Sequence, residues 1–318
     1  MSENARYWIW LQNALGYGAK IKSIIDEYKS AKLLYELGES EWKMSTVLSK
    51  RQVEKLMMTD VGESDEIIDC CSKNGYKIID FDDKAYPKRL KEIINPPAVL
   101  YVDGELPDID NLVCIGMVGT RKASEYAIKA AHIMAKGITE AGALVVSGGA
   151  LGIDTYSHLG ALACGGKTVA VLGNGLGNNY LKANEGLRNM IKQSGALVTE
   201  YQPNVPANRT SFPMRNRIIS GLSLGILVVE AGVKSGSLIT ANLAIEQNRD
   251  VYAVPASIFS SDFSGTNKLI SDGARLAINP VNVVEAYEND YPTLDLSKIR
   301  TANEIVLDNS EKTLDTSI

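Results

Sequence analysis

Short apolar segments alternate with amphipathic stretches from about residue 112 to residue 287. The apolar segments have the length and two-sided apolar character of strands in a parallel sheet that is covered on both faces. The predicted strands are Leu112–Val118, Ala143–Ser147, Thr168–Leu172, Ala196–Thr199, Gly225–Glu230 and Asp250–Val254. The predicted helices are Ser124–Glu140, Thr155–Cys164, Asn184–Ser194 and Leu238–Asn248. This alternation predicts an α/β fold with a Rossmann-like, doubly wound and mainly parallel sheet.

The N-terminal residues 1–74 follow the helical period instead. Apolar side chains recur there at i, i+3, i+4 and i+7, as in Ile21, Ile24, Ile25 and Tyr28. Ser49 and Gln52 have the spacing of a capping box. Asn74-Gly75 is typical of a helix end. These features predict a small all-helical N-terminal domain over residues 1–74, similar to SAM or helix-hairpin-helix modules.

The turn Gly16-Tyr17-Gly18 separates the first two predicted helices. It has the pattern of a helix-hairpin-helix unit, in which glycine amides hold a DNA phosphate. An ordinary turn between two helices explains the same glycines. Few basic residues surround the turn, which favours the second interpretation and a role as a packing or partner surface.

Residues 75–111 connect the helical domain to the region of alternating elements. Tyr76–Phe81 and Ala98–Val102 have strand character, and Pro87–Ile93 fits a short helix. We therefore expect the connector to extend the sheet, so that the main domain covers residues 75–288. Residues 289–318 are polar and predict a C-terminal tail with little structure.

Composition restricts the function classes only in part. The chain of 318 residues has a net charge of −5 and a pI of about 5.3, which argues against a protein that is basic over its whole surface. A local basic groove can still attract phosphates. The four cysteines and two histidines lack metal-ligand spacing. No signal peptide or long apolar run is recognisable, so we expect a cytoplasmic protein without a membrane span.

Glycine-rich and hydroxyl-rich segments follow several of the predicted strands. They are Gly119–Ser124, Ser147–Asp154, Gly173–Gly177 and Ala231–Ser237. Tight-turn geometry explains any one of them. Because the carboxyl ends of parallel strands share one sheet edge, all of them together predict a surface of backbone amides that binds phosphate. No Gly-x-Gly-x-x-Gly follows the first strand and no P-loop motif occurs, so neither NAD nor a P-loop nucleotide is predicted.

The stretch Phe212–Ala244 combines a short basic helix, a buried strand and a hydroxyl-rich turn that opens a second helix. No carboxylate occurs within Tyr201–Val229, which contains Arg209, Arg215 and Arg217. Local positive charge and the N–H groups of a helix start both attract anions. This stretch therefore predicts an anion-binding surface.

Ser147, Asp154 and His158 are the residues that would suggest serine-hydrolase chemistry. Asp154 is better explained as a helix cap and His158 as a residue of the first helical turn that faces the loops. Ser147 does not lie in a Gly-x-Ser-x-Gly motif. We predict no catalytic residues, no metal and no cofactor.

The motifs between about Asp83 and Tyr287 resemble, in order and spacing, those of the DNA-processing protein A family (DprA, also called Smf). The motifs that carry the resemblance are Asp83-x-x-Tyr86-Pro87, Pro97–Gly104, Val118-Gly119-Thr120-Arg121-x-x-Ser124, Ser147-Gly148-x-x-x-Gly152-Ile153-Asp154 with His158, Phe212-Pro213-x-Arg215-Asn216-Arg217, Val229-Glu230-Ala231 and Lys234–Ala241. Each motif is weak alone, whereas their combination is specific.

The resemblance implies an extended Rossmann fold and cooperative binding of single-stranded DNA. It also implies protection of incoming single strands and loading of the RecA recombinase during natural transformation. Members of the family act as homodimers, and the resemblance implies no catalytic activity and no cofactor.

The chain departs from the family pattern at several positions. Gly149, Ala150 and Leu151 stand where the family usually has small residues and often a cation. Leu181 replaces a usual proline, and Ala127 and Ala256 each replace a usual glycine. Many members also carry a winged-helix-like C-terminal domain, for which residues 289–318 are too few, so we predict that this domain is absent.

On this resemblance we predict a pocket in which cations and backbone amides follow a DNA backbone. The predicted DNA-binding residues are Gly119, Thr120, Arg121, Ser124, Ser147, Gly148, Gly149, Phe212, Arg215, Asn216, Arg217, Lys234, Ser235, Gly236, Ser237 and Thr240. Phe212 would offer its ring to a base. Asp154, His158 and Glu230 are predicted to support the pocket, Glu230 by orienting neighbouring cations.

Structural alternatives remain open for some of these residues. They are a core position for Phe212, an ion pair of Arg215 or Arg217 with Glu230 or Glu246, capping roles for Ser147 and Ser237, and a loop tie for Asn216.

An enzyme is the alternative function class. Rossmann-like nucleotide phosphoribohydrolases carry a Gly-Gly-x-Gly-Thr-x-x-Glu loop at the place equivalent to Lys234–Ala241. The segment Ser235–Asn242 lacks the glutamate that would stabilise an oxocarbenium-like transition state. A DNA-binding protein is therefore the prediction, and a nucleotide-binding or nucleotide-cleaving enzyme is the alternative.

Overall fold

The computed structural model describes residues 1–299. The helices are α1 (Ala5–Leu15), α2 (Lys22–Tyr28), α3 (Ala31–Met44), α4 (Lys50–Met58), α5 (Gly62–Asn74), α6 (Lys88–Lys91), α7 (Glu125–Glu140), α8 (Ile153–Ala163), α9 (Glu185–Ser194), α10 (Ser211–Leu222), α11 (Ser237–Glu246), α12 (Ser264–Ser271) and α13 (Val281–Val284). The strands are β1 (Lys77–Asp80), β2 (Val99–Gly104), β3 (Cys114–Val118), β4 (Leu144–Ser147), β5 (Thr168–Val171), β6 (Ala196–Thr199), β7 (Gly225–Val228), β8 (Asp250–Ala253) and β9 (Arg275–Leu276).

The chain divides into two compact units. Unit 1 comprises Met1–Asp110 and Ala170–Leu222, and unit 2 comprises Asn111–Val169 and the described residues from Ser223 onward. Each unit is therefore built from two separate segments of the chain. The domain boundaries predicted from the sequence, after residues 74 and 288, remain predictions.

Helices α1–α5 form the predicted all-helical N-terminal part of unit 1. α1 packs against α3, α4 and α5 and buries Trp8 and Trp10 completely. Ser49 closes the predicted capping box: its hydroxyl accepts from the Gln52 amide, and the Gln52 side chain accepts from the Ser49 amide. α5 ends at Gly75, whose φ of 70° lies in the left-handed region that glycine tolerates. These caps set the ends of α4 and α5.

Unit 1 also contains an antiparallel part of the sheet. β2 pairs with β1 on one side and with β6 on the other, with Tyr101 opposite both Ile78 and Thr199. Tyr101 and its neighbours in β2 are buried against the helical core. The predicted strands and short helix of the connector are thereby confirmed as β1, β2 and α6.

Unit 2 contains the parallel strands in the order β4-β3-β7-β8-β9. The connection from β3 through α7 leads to β4 on one side, whereas β7 leads through α11 to β8 on the other. This reversal of direction between β3 and β7 is the topological switch point of a doubly wound sheet. The predicted α/β class with a mainly parallel sheet and a helical N-terminal part is confirmed.

For most of the strands and helices predicted within residues 112–287, the predicted and observed ends differ by no more than two or three residues. The largest difference that bears on function is at α8, which begins at Ile153 rather than at Thr155. Within the predicted C-terminal tail, Leu294 is buried in the core of unit 2 and the Asp295 amide donates to Ala141 O. The remainder of that predicted tail, residues 300–318, lies outside the described residues, as does the predicted absence of a winged-helix domain.

Among residues 1–299, no helix has both the length and the apolar character needed to cross a lipid bilayer.

The capping box of α4 predicts a local loss of stability on substitution. Ser49→Ala removes the acceptor for the Gln52 amide and should destabilise α4 by about 1 kcal/mol. Because amides exchange through local opening, hydrogens of residues 50–58 should then exchange about fivefold faster in native-state hydrogen-exchange mass spectrometry. Thr46→Ala, at an exposed position outside the cap, is the control. Equal exchange rates in Ser49→Ala and the parent protein would contradict the stabilising role of this cap.

Candidate nucleic-acid interface

Three loops meet at the carboxyl edge of the unit 2 sheet. They follow the adjacent strands β4, β3 and β7, so parallel pairing brings their starts together at the switch point. The loops are Gly119–Ser124, Gly148–Gly152 and Val229–Gly236. The predicted convergence of these loop segments is therefore observed within unit 2.

Backbone hydrogen bonds join the three loops. The Thr120 amide donates to Glu230 O at 2.9 Å, and the Ile153 amide donates to Thr120 O at 3.1 Å. The Ser124 amide donates to the Glu230 carboxylate at 2.9 Å. Glu230 is 1% exposed, so its carboxylate is held inside the loop surface. It organises the backbone of the first loop, whereas the sequence predicted that it orients cations.

Two glycines permit this close approach. A Cβ at Gly119 would lie 2.5 Å from Ile153 Cγ1 and 3.0 Å from Glu230 O. Gly152 has φ +77°, and a Cβ there would lie 2.3 Å from Thr120 O. The distances of 2.5 Å and 2.3 Å are shorter than real Cβ contacts, so these positions require glycine for steric reasons. The loops therefore pack as one surface rather than as independent turns.

Exposed cations and hydroxyl groups lie on two of these loops. Arg121, Lys122 and Lys234 are exposed to solvent. Beyond Lys234, the Ser235 and Ser237 hydroxyls lie 2.8 Å apart at the start of α11, next to the exposed Gly236. A helix start and neighbouring cations both favour an anion, because the helix dipole and the charges act in the same direction. This part of the surface has the chemistry to bind phosphate.

Other predicted binding residues contribute to the scaffold through their side chains. Ser147 is fully buried and its hydroxyl donates to Met117 O at 2.7 Å. Ser124 is the N-cap of α7 and accepts from the Ala127 amide. Thr240 is fully buried in α11, and Gly148 and Gly149 are buried as well. The Ser147 hydroxyl thus joins the end of β4 to β3, whereas the alternative from the sequence was a helix cap.

Asp154 and His158 differ from their predicted roles. Asp154 lies inside α8, because Gly152 is the residue that precedes the helix, and its carboxylate accepts from the Ala150 amide at 3.2 Å. His158 is completely buried, with Nδ1 2.7 Å from the Thr168 hydroxyl. That hydroxyl donates to Val145 O, so it accepts from a protonated Nδ1. Asp154 shapes a loop instead of capping the helix, and His158 anchors α8 to β5 instead of facing the loops.

In unit 1, the arginines of α10 point into the protein. Arg215 and Arg217 are 4% and 2% exposed. Arg217 Nη2 lies 2.6 Å from Glu200 Oε2, and Arg215 Nη1 donates to Val171 O. The partner of Arg217 is therefore Glu200, whereas the sequence suggested Glu230 or Glu246. Of the three arginines in the carboxylate-free stretch, Arg209 is therefore exposed, while the guanidinium groups of Arg215 and Arg217 are buried.

Phe212 is half-buried at the start of α10 and forms an aromatic pair. Its ring centroid lies 5.3 Å from that of Tyr180, with an interplanar angle of 40°. A Cβ at Gly173 would lie 2.9 Å from Phe212 Cδ1, so the glycine loop after β5 lies against the ring. Asn216, one turn further along α10, is also half-buried. Tyr180 was missed from the sequence, although an aromatic residue closely following the Gly173–Gly177 segment was a usable signal.

Leu181 shows the effect of one departure from the family pattern. It has φ 55° and ψ 65°, in the left-handed region, where the following turn begins. A proline ring holds φ near −65° and does not allow this conformation. Arg188 Nη1 donates to the carbonyl oxygens of Tyr180 and Leu181 and holds the segment. The backbone next to Tyr180 is therefore arranged in a way that proline at position 181 would prevent.

Over residues 1–299 no group of three or more histidine, cysteine, aspartate or glutamate side chains is arranged to hold a metal ion.

The contact of Gly152 with Thr120 O predicts a steric effect that can be separated from backbone strain. Gly152→Ala should lower the free energy of unfolding by roughly 3 kcal/mol or more, because the loops must move apart. Gly165→Ala is the control: its φ is +71°, but a Cβ there meets nothing within 4 Å, so only about 1–2 kcal/mol is expected. Urea unfolding measures both variants. Equal losses would show that the loops are not in tight contact at Gly152.

Comparisons with known proteins agree with this architecture. The sequence model of the DNA recombination-mediator protein A family matches residues 77–288. The DNA processing protein DprA of Bacillus subtilis is 39% identical over 213 residues, which are 67% of this chain and 72% of that protein. Protein Smf of Escherichia coli is 36% identical over 241 residues, 76% of this chain and 64% of that protein.

Two solved structures are similar in fold as well as in sequence. DNA processing protein A from Streptococcus pneumoniae superposes with a TM-score of 0.78 and 31% identity, over 90% of this chain and 98% of that one. DNA processing protein A from Helicobacter pylori, whose structure was described for its single-stranded DNA binding mode, gives a TM-score of 0.61 and 29% identity, over 68% of this chain and 97% of that one. The chain is a member of the DNA recombination-mediator protein A family.

Proposed function

We propose that this protein binds single-stranded DNA through its backbone and acts as a recombination mediator. The observation that carries the proposal is the loop surface of unit 2, where Arg121, Lys122 and Lys234 are exposed at the switch point of the sheet. The amides of Gly119 and Gly236 belong to the same loops. Cations and amides at this edge suit a chain of phosphates, which carries no base sequence, so binding should be largely independent of sequence.

Aromatic groups in unit 1 provide the second element of the proposal. Phe212 and Tyr180 are half-buried, so part of each ring remains accessible. Stacking of a base on such a ring contributes roughly 1–3 kcal/mol in single-strand binding proteins. We assign base stacking to Phe212 and Tyr180, and we assign Arg215 and Arg217 to the internal support of α10 because both guanidinium groups are buried. Asn216 remains a proposed contact.

The relationship to the Helicobacter pylori protein supports binding of single strands in particular. Family membership supports the further steps of the proposal: protection of incoming single-stranded DNA and loading of RecA during natural transformation in the cytoplasm. RecA loading is tested by following RecA filament assembly on single strands that are covered by single-stranded-DNA-binding protein. Failure of this protein to accelerate assembly would restrict the proposal to DNA binding.

An exposed apolar surface in unit 2 supports a homodimer. Ile258 and Phe259 are 86% and 93% exposed, and Leu276 is half-exposed in β9, which pairs with β8 at the end of the unit 2 strand order. Contiguous exposed apolar side chains are typical of an interaction surface, and we propose that Ile258, Phe259 and Leu276 form one. We propose that a second copy of the chain covers it.

The dimer proposal predicts a change in mass on substitution of one residue. Static light scattering should give the mass of two chains for the parent protein and of one chain for Leu276→Arg, because the guanidinium would be desolvated without a partner in the interface. Lys268→Ala, an exposed change elsewhere in unit 2, should retain the dimer mass. A monomeric parent protein at micromolar concentration would contradict the proposal.

An enzyme that cleaves nucleotides is the second candidate class. The α11 start, Ser235–Asn242, carries no carboxylate, and the buried Glu230 carboxylate is engaged by the Ser124 amide. These features favour binding over glycosidic bond cleavage. Incubation with nucleoside monophosphates, followed by chromatography for free base, distinguishes the two classes, since release of base would contradict the binding proposal.

The exposed cations predict the salt dependence of DNA binding. Arg121→Ala and Lys234→Ala should each weaken binding of a single-stranded oligonucleotide and reduce the slope of log K against log salt by about 0.7, the contribution of one neutralised phosphate. Fluorescence anisotropy across a salt series measures both quantities for single-stranded and double-stranded oligonucleotides.

Lys167→Ala is the matched control for this experiment. It removes the same charge from an exposed position of unit 2 that lies outside the three loops, and it should leave the slope close to that of the parent protein. If Arg121→Ala and Lys234→Ala behave like Lys167→Ala, phosphate is bound elsewhere. If the parent protein fails to bind single strands at low salt, the proposed function is wrong.

A further inference from the structure

The Gly16-Tyr17-Gly18 turn of the helical region has no part in the proposed DNA surface, yet it contacts the chain segment next to α10. Gly16 and Gly18 have φ of +86° and +70°, as a tight turn requires. The Gly18 amide donates to Glu200 Oε2 at 3.3 Å. The same carboxylate oxygen also accepts a hydrogen bond from Arg217 Nη2 at 2.6 Å. One buried carboxylate thus joins the turn to α10.

The residues after Glu200 are held by the same turn and by α1. The rings of Tyr17 and Tyr201 lie 4.5 Å apart, and the Tyr17 hydroxyl accepts from the Gln202 amide at 3.5 Å. The Gln202 side chain also bonds the Asn13 side chain. Burial raises the pKa of Tyr17 to about 12, so its hydroxyl is neutral at physiological pH. Three consecutive residues, 200–202, therefore contact the helical region.

The turn also packs directly against the Met214 side chain of α10. A Cβ at Gly18 would lie 2.3 Å from Met214 Sδ, so the glycine backbone packs against the helix that carries Phe212 and Asn216. The Asn95 side-chain amide donates to Gly18 O at 3.4 Å and holds the turn from the other side. α10 is thus held by an ion pair on its buried face, and its Met214 side chain packs against the turn.

The ion pair of Glu200 and Arg217 defines the orientation of α10. Both side chains are at most 2% exposed. In a site of low dielectric constant, two opposite charges resist separation and favour one geometry. A rotation or translation of α10 that moved Phe212 would therefore have to displace Arg217 from Glu200, or displace Glu200 from the Gly18 amide.

We infer that the Tyr17-Gly18 turn is a positioning element for α10, and that Glu200 and Arg217 transmit its position to Phe212 and Asn216. The inference rests on the proposed single-stranded DNA binding for its functional consequence. Its structural content, that the helical region restrains α10, is independent of that function. The helical region thus supports binding by holding α10 in position.

The decisive comparison is between two tyrosines of the helical region. Tyr17→Ala removes the ring on Tyr201 and the acceptor of the Gln202 amide. Tyr35→Ala removes a similarly half-buried ring that packs on Trp10 and lies outside the turn. Both variants lose aromatic packing in the same helical region, so a general loss of stability should affect them alike.

Two measurements on the full-length variants separate positioning from stability. In hydrogen-exchange mass spectrometry, amides of residues 211–222 should exchange at least about fivefold faster in Tyr17→Ala and at the parent rate in Tyr35→Ala. In fluorescence anisotropy, Tyr17→Ala should bind a single-stranded oligonucleotide about fivefold or more weakly, with the salt slope of the parent protein, because base stacking and not phosphate contact is lost.

The outcomes distinguish the inference from the proposed function. Unchanged exchange of residues 211–222 in Tyr17→Ala, or equal acceleration in Tyr35→Ala, would overturn the positioning role whatever the DNA result. Accelerated exchange with unchanged DNA affinity would overturn its consequence for binding. Failure of the parent protein to bind single strands would overturn the proposed function and leave the exchange result standing.

A second pair of variants covers the case in which Tyr17→Ala does not fold. Gly18→Ala and Gly16→Ala both place alanine at a positive φ, but only Gly18→Ala adds a Cβ against Met214. Positioning predicts faster exchange in residues 211–222 for Gly18→Ala alone, and relief of part of this effect in Gly18→Ala/Met214→Ala. Equal behaviour of the two glycine variants would contradict the inference.

Discussion

Close approach of three peptide backbones is the constraint on which the unit 2 surface depends. Gly119 and Gly152 have no room for a side chain, since a Cβ at Gly119 would meet Ile153 and a Cβ at Gly152 would meet Thr120 O. The Thr120 and Ser124 amides are held by Glu230 through its carbonyl and its carboxylate. The exposed Arg121 therefore extends from a backbone that is held on both sides. Such a surface loses little conformational freedom when it binds a polyanion, which favours affinity.

The sequence could predict most of the fold because its strands are short, apolar on both faces and bounded by glycine or turn residues. For β6, Ala196–Thr199, the predicted and observed bounds are the same. For α7 the two differ only at the N-cap, Ser124. Two-sided apolar segments of this length fit the interior of a covered parallel sheet and leave few alternatives. The loop surface of unit 2 follows from the same pattern, because parallel pairing places the carboxyl ends of β3, β4 and β7 together.

The roles of individual side chains were less predictable, because they depend on contacts between residues that are distant along the chain. Arg217 lies in α10, whereas Glu200 follows β6. The turn at Tyr17, which contacts this pair, is nearly two hundred residues earlier in the sequence. Periodicity identifies the buried face of α10 through Ile218 and Leu222, but it does not tell whether an arginine beside them bonds an internal acid or an external phosphate. His158 shows the same limit, since its partner Thr168 belongs to the next strand.

A carboxylate inside the protein and a phosphate of a bound ligand are recognised by the same groups. Sequence motifs for the one therefore resemble motifs for the other. A carboxylate and a phosphate are both bound by backbone amides and by guanidinium groups. The Gly18 amide and Arg217, each of which suggested contact with DNA, converge instead on Glu200 of the same chain. The carboxylate-free stretch around α10 is thus compensated by an acid that precedes it. The unit 2 loops differ from α10 in exposure: Arg121 and Lys234 lie at the surface of an acidic protein, where their charge is accessible to an anion from outside.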